Sequence, residues 1–280
     1  MKPRHFLTLN DLSKQTLGEL VQRAIELKTL HKAGKEYTPL RFKTMAMIFE
    51  KSSTRTRVSF EAGMVQLGGA TLFLSPRDTH LDRGERIEDT ARVMSRMVDV
   101  IVIRAQDHEL LERFASHSTV PVINALTDLH HPCQLLADMQ TYVELRGTIA
   151  GRKAVWIGDG NNVCHSWIQA AKLFDFQLKV ASPKSYQPRA DAVAEFPDHV
   201  IVTEDPVSAV QDADIVVTDT WASMGQEGEK DERIKAFERY RVDINLLQRA
   251  KKDAVFMHCL PAYRGHEVTA EVIDGPQSVV

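Results

Sequence analysis

The sequence predicts an α/β protein made of two doubly wound parallel-sheet domains, and three observations carry that prediction. Short apolar runs of strand length alternate with longer segments at helical period. The alternation passes through the chain twice, with Gly147 and Gly151 bracketing the joint. The 280 residues, 43% of them hydrophobic, suit two α/β-sized cores better than one small one. The domains are placed at 1–148 and 149–280.

In the first series, Thr16-Leu17-Gly18-Glu19 has capping-box spacing, and Leu17, Leu20, Val21 and Ala24 continue at helical period. This predicts a helix over 16–32, stopped by Ala33-Gly34. TMAMIF (44–49) is a buried-strand run. A helix over 58–67 stops at Gly68-Gly69, and ATLFLS (70–75) is a strand followed by the polar loop PRDTHLDRGER. A helix at 87–97, a strand at 99–105, a helix at 107–117, a strand at 120–125 and a long helix at 133–146 complete the series. The second series opens with the strand KAVWIG (153–158), a helix at 164–174 and a strand at 177–182. A helix near 189–196 precedes VIVT (200–203), one near 206–211 precedes DIVVTD (214–219), and AVFMHC (254–259) is the last strand. The Gly-, Lys- and Glu-rich stretch after Gly225, up to about Arg233, reads as a mobile loop.

Several function classes drop out on composition. A net charge of −3 does not favour nucleic acid held by bulk phosphate attraction, so any anion site is local. Cys133, Cys164 and Cys259 are far apart and form neither a zinc-like pair nor a disulfide framework, which points to a reducing compartment. The opening MKPRHFLTLNDLSKQ lacks a signal-peptide core, and no run of 18 apolar residues exists. The expectation is a cytoplasmic protein with no nucleic-acid and no membrane partner.

In parallel α/β sheets, ligands bind beyond the carboxyl ends of the strands. After 44–49 come Ser53-Thr54-Arg55-Thr56-Arg57, opening a helix. Hydroxyls and guanidiniums at a helix N-terminus make a phosphate or carboxylate cradle, or else an N-cap with solvated arginines. The glycines and lysine of a Walker A loop are absent. Arg104 ends the run Val-Ile-Val-Ile, either as a snorkelling side chain or as a second cation at the cradle. After 120–125, Pro132 can start a helix, placing His131 at its N-terminus and Gln134 one turn in. A histidine there polarises a carbonyl or moves a proton, unless it is a capping or buried structural residue. Gly158-Asp159-Gly160-Asn161-Asn162-Val163 half-matches a dinucleotide fingerprint. Val163 stands where its third glycine should be, and Ala181-Ser182-Pro183 offers no acid for a ribose, which leaves Asn162 to bind a small polar group. Asp219 can hold an ammonium, and Cys259 is a small buried hydrophobe or a nucleophile.

Together and in this order, Ser-Thr-Arg-Thr-Arg, His-Pro-Cys-Gln with Leu-Leu-Ala-Asp, Gly-Asp-Gly-Asn-Asn, Asp-Thr-Trp-Ala-Ser-Met-Gly and His-Cys-Leu-Pro resemble the aspartate/ornithine carbamoyltransferase family. The last two resemble its ornithine branch, since the aspartate branch has another residue where Cys259 stands. The resemblance spans essentially the whole chain. It implies an active site in the cleft between the two domains, where carbamoyl phosphate and L-ornithine give L-citrulline and phosphate without a metal, cofactor or covalent intermediate. It implies that Ser53, Thr54, Arg55 and Thr56 hold the phosphate, joined by Arg104. Arg104, His131 and Thr56 would face the carbonyl oxygen, and Gln134 and the backbone near Leu260 the carbamoyl nitrogen. Asn162, Ser223 and Met224 would bind the α-end of ornithine, with Asp219 pairing its α-amino group and Cys259 beside the δ-amine. Arg57 would be structural. The family is trimeric, and the resemblance implies a neighbour's loop over 78–85, with His80 as the contact. Relatives continue past the point where this sequence stops, Val280, with a helix that returns to the first domain. Competing readings are the same transfer to putrescine or a modified ornithine, a nicotinamide oxidoreductase built on 153–182, and a non-catalytic paralogue.

Overall fold

In the computed structural model, which describes residues 3–75, 84–222 and 227–280, the chain forms two units, Met1–Leu136 and Ala137–Val280. Each is organised around one wholly parallel sheet, and the division falls inside a long helix.

The first unit runs through α1 (Lys14–Lys32), β1 (Thr44–Phe49), α2 (Thr54–Gln66), β2 (Ala70–Leu74), α3 (Ile87–Met94), β3 (Val100–Arg104), α4 (His108–His117), β4 (Val122–Leu126) and the start of α5 (Pro132–Arg146). Its strand order is β2-β1-β3-β4. Along β1, Met45, Met47 and Phe49 pack on one face with Met64, Val102 and Ala125. Ala46 and Ile48 pack on the other with Ile101, Ala91 and Phe114. Burial on both faces is why TMAMIF is continuously apolar instead of alternating. Phe6 lies along β4, donating its N–H to Val122 at 2.8 Å and accepting from Asn124 at 2.8 Å, so the strand edge is paired.

The second unit continues through β5 (Lys153–Ile157), α6 (Asn162–Leu173), β6 (Gln177–Ala181), α7 (Ala190–Ala194), β7 (Val200–Thr203), α8 (Pro206–Ala209), β8 (Ile215–Thr218), α9 (Lys230–Phe237), α10 (Ile244–Leu247), β9 (Val255–His258) and α11 (Ala270–Ile273). The order is β7-β6-β5-β8-β9. Its core gathers Val155, Ile157, Val216 and Phe256 from the strands with Trp221, Phe237 and Tyr240.

Several helix boundaries differ from expectation, mostly at caps. Helix α1 begins at Lys14 because Ser13 is the N-cap, accepting the Thr16 N–H at 3.1 Å; Thr16 is the third helical residue, not the cap. Helix α2 starts at Thr54, four residues before the apolar period at Val58, because Ser53 caps a wholly polar first turn. Residues 230–233, expected in a loop, open α9. The polar run Lys-Asp-Glu-Arg carries no apolar period, and the residue it buries is a charged one, Arg233. The four-residue α10 and α11 are too short for periodicity to reveal.

Both sheets wind outward from a central strand, first to one side and then to the other. The order reverses between β1 and β3 in the first sheet, and between β5 and β8 in the second. Helix N-termini diverge at such a reversal and leave a crevice beyond the strand ends. The residues that follow β1, β3, β5 and β8 are therefore placed by topology to meet ligands.

Candidate functional site

At the first reversal, β1 feeds the turn that Ser53 caps. The Ser53 hydroxyl accepts the Thr56 N–H at 3.3 Å and donates to Thr56 Oγ1 at 2.9 Å. Arg104, the last residue of β3 and 6% exposed, donates from Nη1 to the same Thr56 Oγ1 at 3.3 Å. The β3–β4 register shifts between Ile103 and Arg104. Ser53, Thr56 and Arg104 thus come together, a buried cation against the dipole-positive end of a helix. Thr54 and Arg55 are exposed in the same first turn. Arg57 stands apart: its Nε donates to Glu61 at 2.9 Å and its guanidinium lies 3.8 Å from the Phe73 ring centroid. The acid in this stretch is turned away, since Glu50 Oε2 accepts the Gln106 N–H at 2.7 Å.

The loop after β4 delivers His131 and, within α5, Gln134. Main-chain bonds tie it to the β3 loop: Ala105 N–H to Leu126 O at 3.2 Å and Asp128 N–H to Gln106 O at 2.9 Å. His131 is half-buried overall, with Nδ1 closed to solvent. Burial, reinforced by the Arg104 charge, lowers its pKa to about 3, so the ring is neutral at physiological pH. A neutral imidazole beside a guanidinium can donate to a developing oxyanion without adding a charge of its own. Cys133 donates to Asn124 O at 3.4 Å, and burial pushes its thiol up to about 12, which leaves it inert.

At the second reversal, Gly158 has φ 141°, and a Cβ on Gly160 would collide with the Gln187–Pro188 backbone. Helix α6 is capped by Asn161, whose Oδ1 accepts from Val163 N at 3.0 Å and Cys164 N at 3.1 Å. Asn162 turns its Oδ1 onto Val163 N as well, at 2.9 Å. Side chains therefore occupy the N–H groups that a dinucleotide pyrophosphate would need. The Asn161 amide donates to buried Asp219 at 2.7 Å; the other oxygen of Asp219 accepts from Thr220 N at 2.7 Å and from Cys259 Sγ at 3.1 Å. Asp159, close by, is paired with buried Arg233 at 3.0 Å, and burial raises its pKa to about 6 against the pull of that guanidinium. Leu260 has φ 57° and follows the His258-Cys259 strand end. Its N–H donates to His258 Nδ1 at 2.9 Å, while His258 Nε2 meets Glu267 at 3.3 Å. Asp219, His258 and Cys259 each place a possible ligand atom within 4.8 Å of the others. With both ring nitrogens of His258 engaged, the trio is built as a hydrogen-bonded network and does not fit a metal.

Two family models match the chain. One, described as the aspartate/ornithine carbamoyltransferase carbamoyl-P binding domain, matches residues 4–144. The other, described as the Asp/Orn binding domain, matches residues 150–280. The chain belongs to the aspartate/ornithine carbamoyltransferase family. A relative from Halorhodospira halophila named ornithine carbamoyltransferase is 58% identical over 277 residues, covering 99% of this chain and 92% of its own. One of the same name from Nitrosococcus oceani is 59% identical, covering 99% and 91%. The solved ornithine carbamoyltransferase from Pyrococcus furiosus superposes with a TM-score of 0.95 at 48% identity, covering 100% of this chain and 91% of that one. The fold class expected from the sequence, two parallel-sheet α/β domains, is the fold of these structures.

His80, Ser223 and Met224 lie outside the described residues. Sequence reasoning missed Asn161 and Arg233 as parts of this arrangement. Asn161 had a readable signal, since asparagine just before a helix is a preferred cap. Buried Arg233 pairs locally with Glu229 at 3.2 Å, but its two buried partners, Asp159 and the Trp221 carbonyl, lie 74 and 12 residues away and left no signal.

Proposed function

We propose that this protein transfers the carbamoyl group of carbamoyl phosphate to the δ-amino group of L-ornithine, giving L-citrulline and phosphate. The observation that carries the reading is the buried Arg104 guanidinium, hydrogen-bonded to Thr56 in the first turn of a serine-capped helix at a sheet reversal. A fixed cation beside helix N–H groups suits the phosphate of an acyl phosphate. The names borne by the full-length relatives support ornithine as the acceptor.

In this reading the first domain, 1–148, holds carbamoyl phosphate. Ser53, Thr54, Arg55 and Thr56 take the phosphate, with Arg104 shared between phosphate and carbonyl oxygen. Neutral His131 donates to the same oxygen as the carbon becomes tetrahedral, and Gln134 accepts from the carbamoyl nitrogen. The second domain, 149–280, holds ornithine. Asp219 receives its α-ammonium, and Asn162 helps bind its α-end. The Cys259 thiol donates to Asp219, which leaves the sulfur lone pairs to accept from the δ-amine and orient it. The amine attacks as the free base. The new C–N bond forms, the C–O bond to phosphate breaks with its electron pair, and the departing phosphate is basic enough to take the proton the nitrogen releases. Positioning and preorganised charge supply the rate enhancement. Among the described residues no helix is long and apolar enough to cross a membrane. We further propose, on the resemblance, a cytoplasmic homotrimer or multiple of trimers acting in arginine metabolism.

The test is product formation from carbamoyl phosphate with ornithine, putrescine and aspartate side by side. Citrulline from ornithine alone is expected. Turnover of aspartate, or none with ornithine, overturns the reading.

A further inference from the structure

The loop 127–130 that delivers His131 is closed in an unusual way. The Thr127 N–H donates to His130 O at 2.9 Å, and the His130 N–H returns to the Thr127 hydroxyl at 3.2 Å. One threonine therefore makes both ends of the clasp, with its backbone and with its side chain. Thr127 is fully buried, and a third group reaches it: His108, the first residue of α4, places Nδ1 2.8 Å from Thr127 Oγ1. The His108 ring also meets the His130 ring edge-on, with centroids 5.0 Å apart at 73°. His108 is itself 6% exposed, so it grips the turn at both ends, by a hydrogen bond at Thr127 and by packing at His130. Buried Asn124 adds a bond from Nδ2 to His130 O at 3.4 Å and anchors itself on Leu7 O at 2.8 Å.

One arrangement of protons satisfies these groups together. Thr127 Oγ1 accepts from the His130 N–H and has one hydrogen to give. In it the hydroxyl donates to His108 Nδ1 at 2.8 Å, the shorter contact, in preference to His130 O at 3.4 Å. His108 is then neutral with its proton on Nε2, which lies 3.7 Å from Glu112. That arrangement locks the hydroxyl rotor of Thr127 and the lone pair that holds His130.

We propose that His108, acting through Thr127, is a positioning residue for His131: the pair fixes the turn from which the imidazole is presented to the reacting carbonyl. The inference rests on the carbamoyl-transfer reading for what His131 is positioned to do, but the geometry it claims is independent of that reaction. Neither His108 nor Thr127 touches substrate. Their contribution is to hold the ring that does, where an error of about 1 Å costs on the order of 100-fold in rate.

The experiment uses the full chain with 15N-labelled histidine. The His131 ring resonances and kcat for citrulline formation are measured for the unchanged protein, Thr127→Val, Thr127→Ser, His108→Phe and His108→Asn. Valine keeps the shape of threonine without the hydroxyl, and phenylalanine keeps the ring without Nδ1. Serine restores the hydroxyl, and asparagine places Oδ1 near the lost Nδ1. The expected result is shifted His131 resonances with kcat per folded molecule lowered about 10- to 100-fold in T127V and H108F. KM for ornithine is expected to stay unchanged, and T127S and H108N to recover most of the kcat loss. Unmoved His131 resonances, or a lower melting temperature with unchanged kcat, would assign the pair a purely structural role and overturn the proposal. If the unchanged protein makes no citrulline while the His131 resonances still move in T127V and H108F, the carbamoyl-transfer reading fails and the positioning stands.

Discussion

The two units share one device, a parallel sheet whose strand order reverses once, and use it for opposite charges. At the reversal of the first sheet stand a buried arginine, two hydroxyls and a histidine that burial keeps neutral. At the reversal of the second stands a buried carboxylate, Asp219, held by Asn161, a backbone N–H and a thiol. In each, the charge of the wrong sign is folded away as a brace. Glu50 closes on the Gln106 N–H in the first, and Arg233 closes on Asp159 and the Trp221 carbonyl in the second. Topology supplies the place, and the residue at the strand end decides whether that place takes an anion or a cation. This is how one kind of sheet reversal, used twice in a single chain, can serve an acyl phosphate and an amine.

The comparison breaks most easily at the anion side. Arg55→Ala removes an exposed cation from the first turn of α2 without touching the core, and carbamoyl-phosphate affinity should fall about 100-fold. Unchanged affinity by calorimetry would contradict the cradle. On the cation side, Asp219→Asn should raise KM for ornithine about 10- to 100-fold while carbamoyl-phosphate affinity stays intact. Cys259→Ser keeps a donor to Asp219, so kcat should drop by no more than about tenfold. Mass spectrometry that finds a carbamoylated Cys259 would replace orientation with covalent catalysis.

Acidification separates the units more gently. The folded-state pKa of His131, about 3, lies below that of the unfolded chain, near 6.5. Unfolding therefore takes up a proton between these values, and the first unit loses stability as pH falls below about 6.5. His5 and His108, both lowered by burial, act in the same sense. Asp159 is shifted the other way, to about 6 from 3.8, so the second unit gains stability as pH falls through about 6. Each group contributes on the order of 1 kcal/mol per pH unit at most. Hydrogen exchange from pH 6.5 to 5 should show protection lost first in β1, β3 and β4; parallel loss in both sheets would refute the assignment.

The central strands were readable because both faces are buried and the chain says so with unbroken apolar runs. The strand-end groups were readable for the same reason: a charge directly after Val-Ile-Val-Ile or Ile-Val-Val-Thr needs an explanation. Helix starts were less so, because Ser13, Ser53 and Asn161 announce themselves by capping hydrogen bonds, not by periodicity. What the sequence hides is long-range pairing. Nothing near Arg233 points to Asp159, and nothing near His108 points to Thr127, since those contacts exist only once the strands are in register. The half-fingerprint at 158–163 shows the converse, a motif whose chemistry is cancelled by its own asparagine caps.

The division of charge between the sheets is tested most directly by titrating carbamoyl phosphate into Arg104→Met and Asp219→Asn side by side. Arg104→Met should lose measurable binding while Asp219→Asn binds as the unchanged protein does. Equal loss in both variants, or full binding by Arg104→Met, would contradict the assignment of the anion to the first unit.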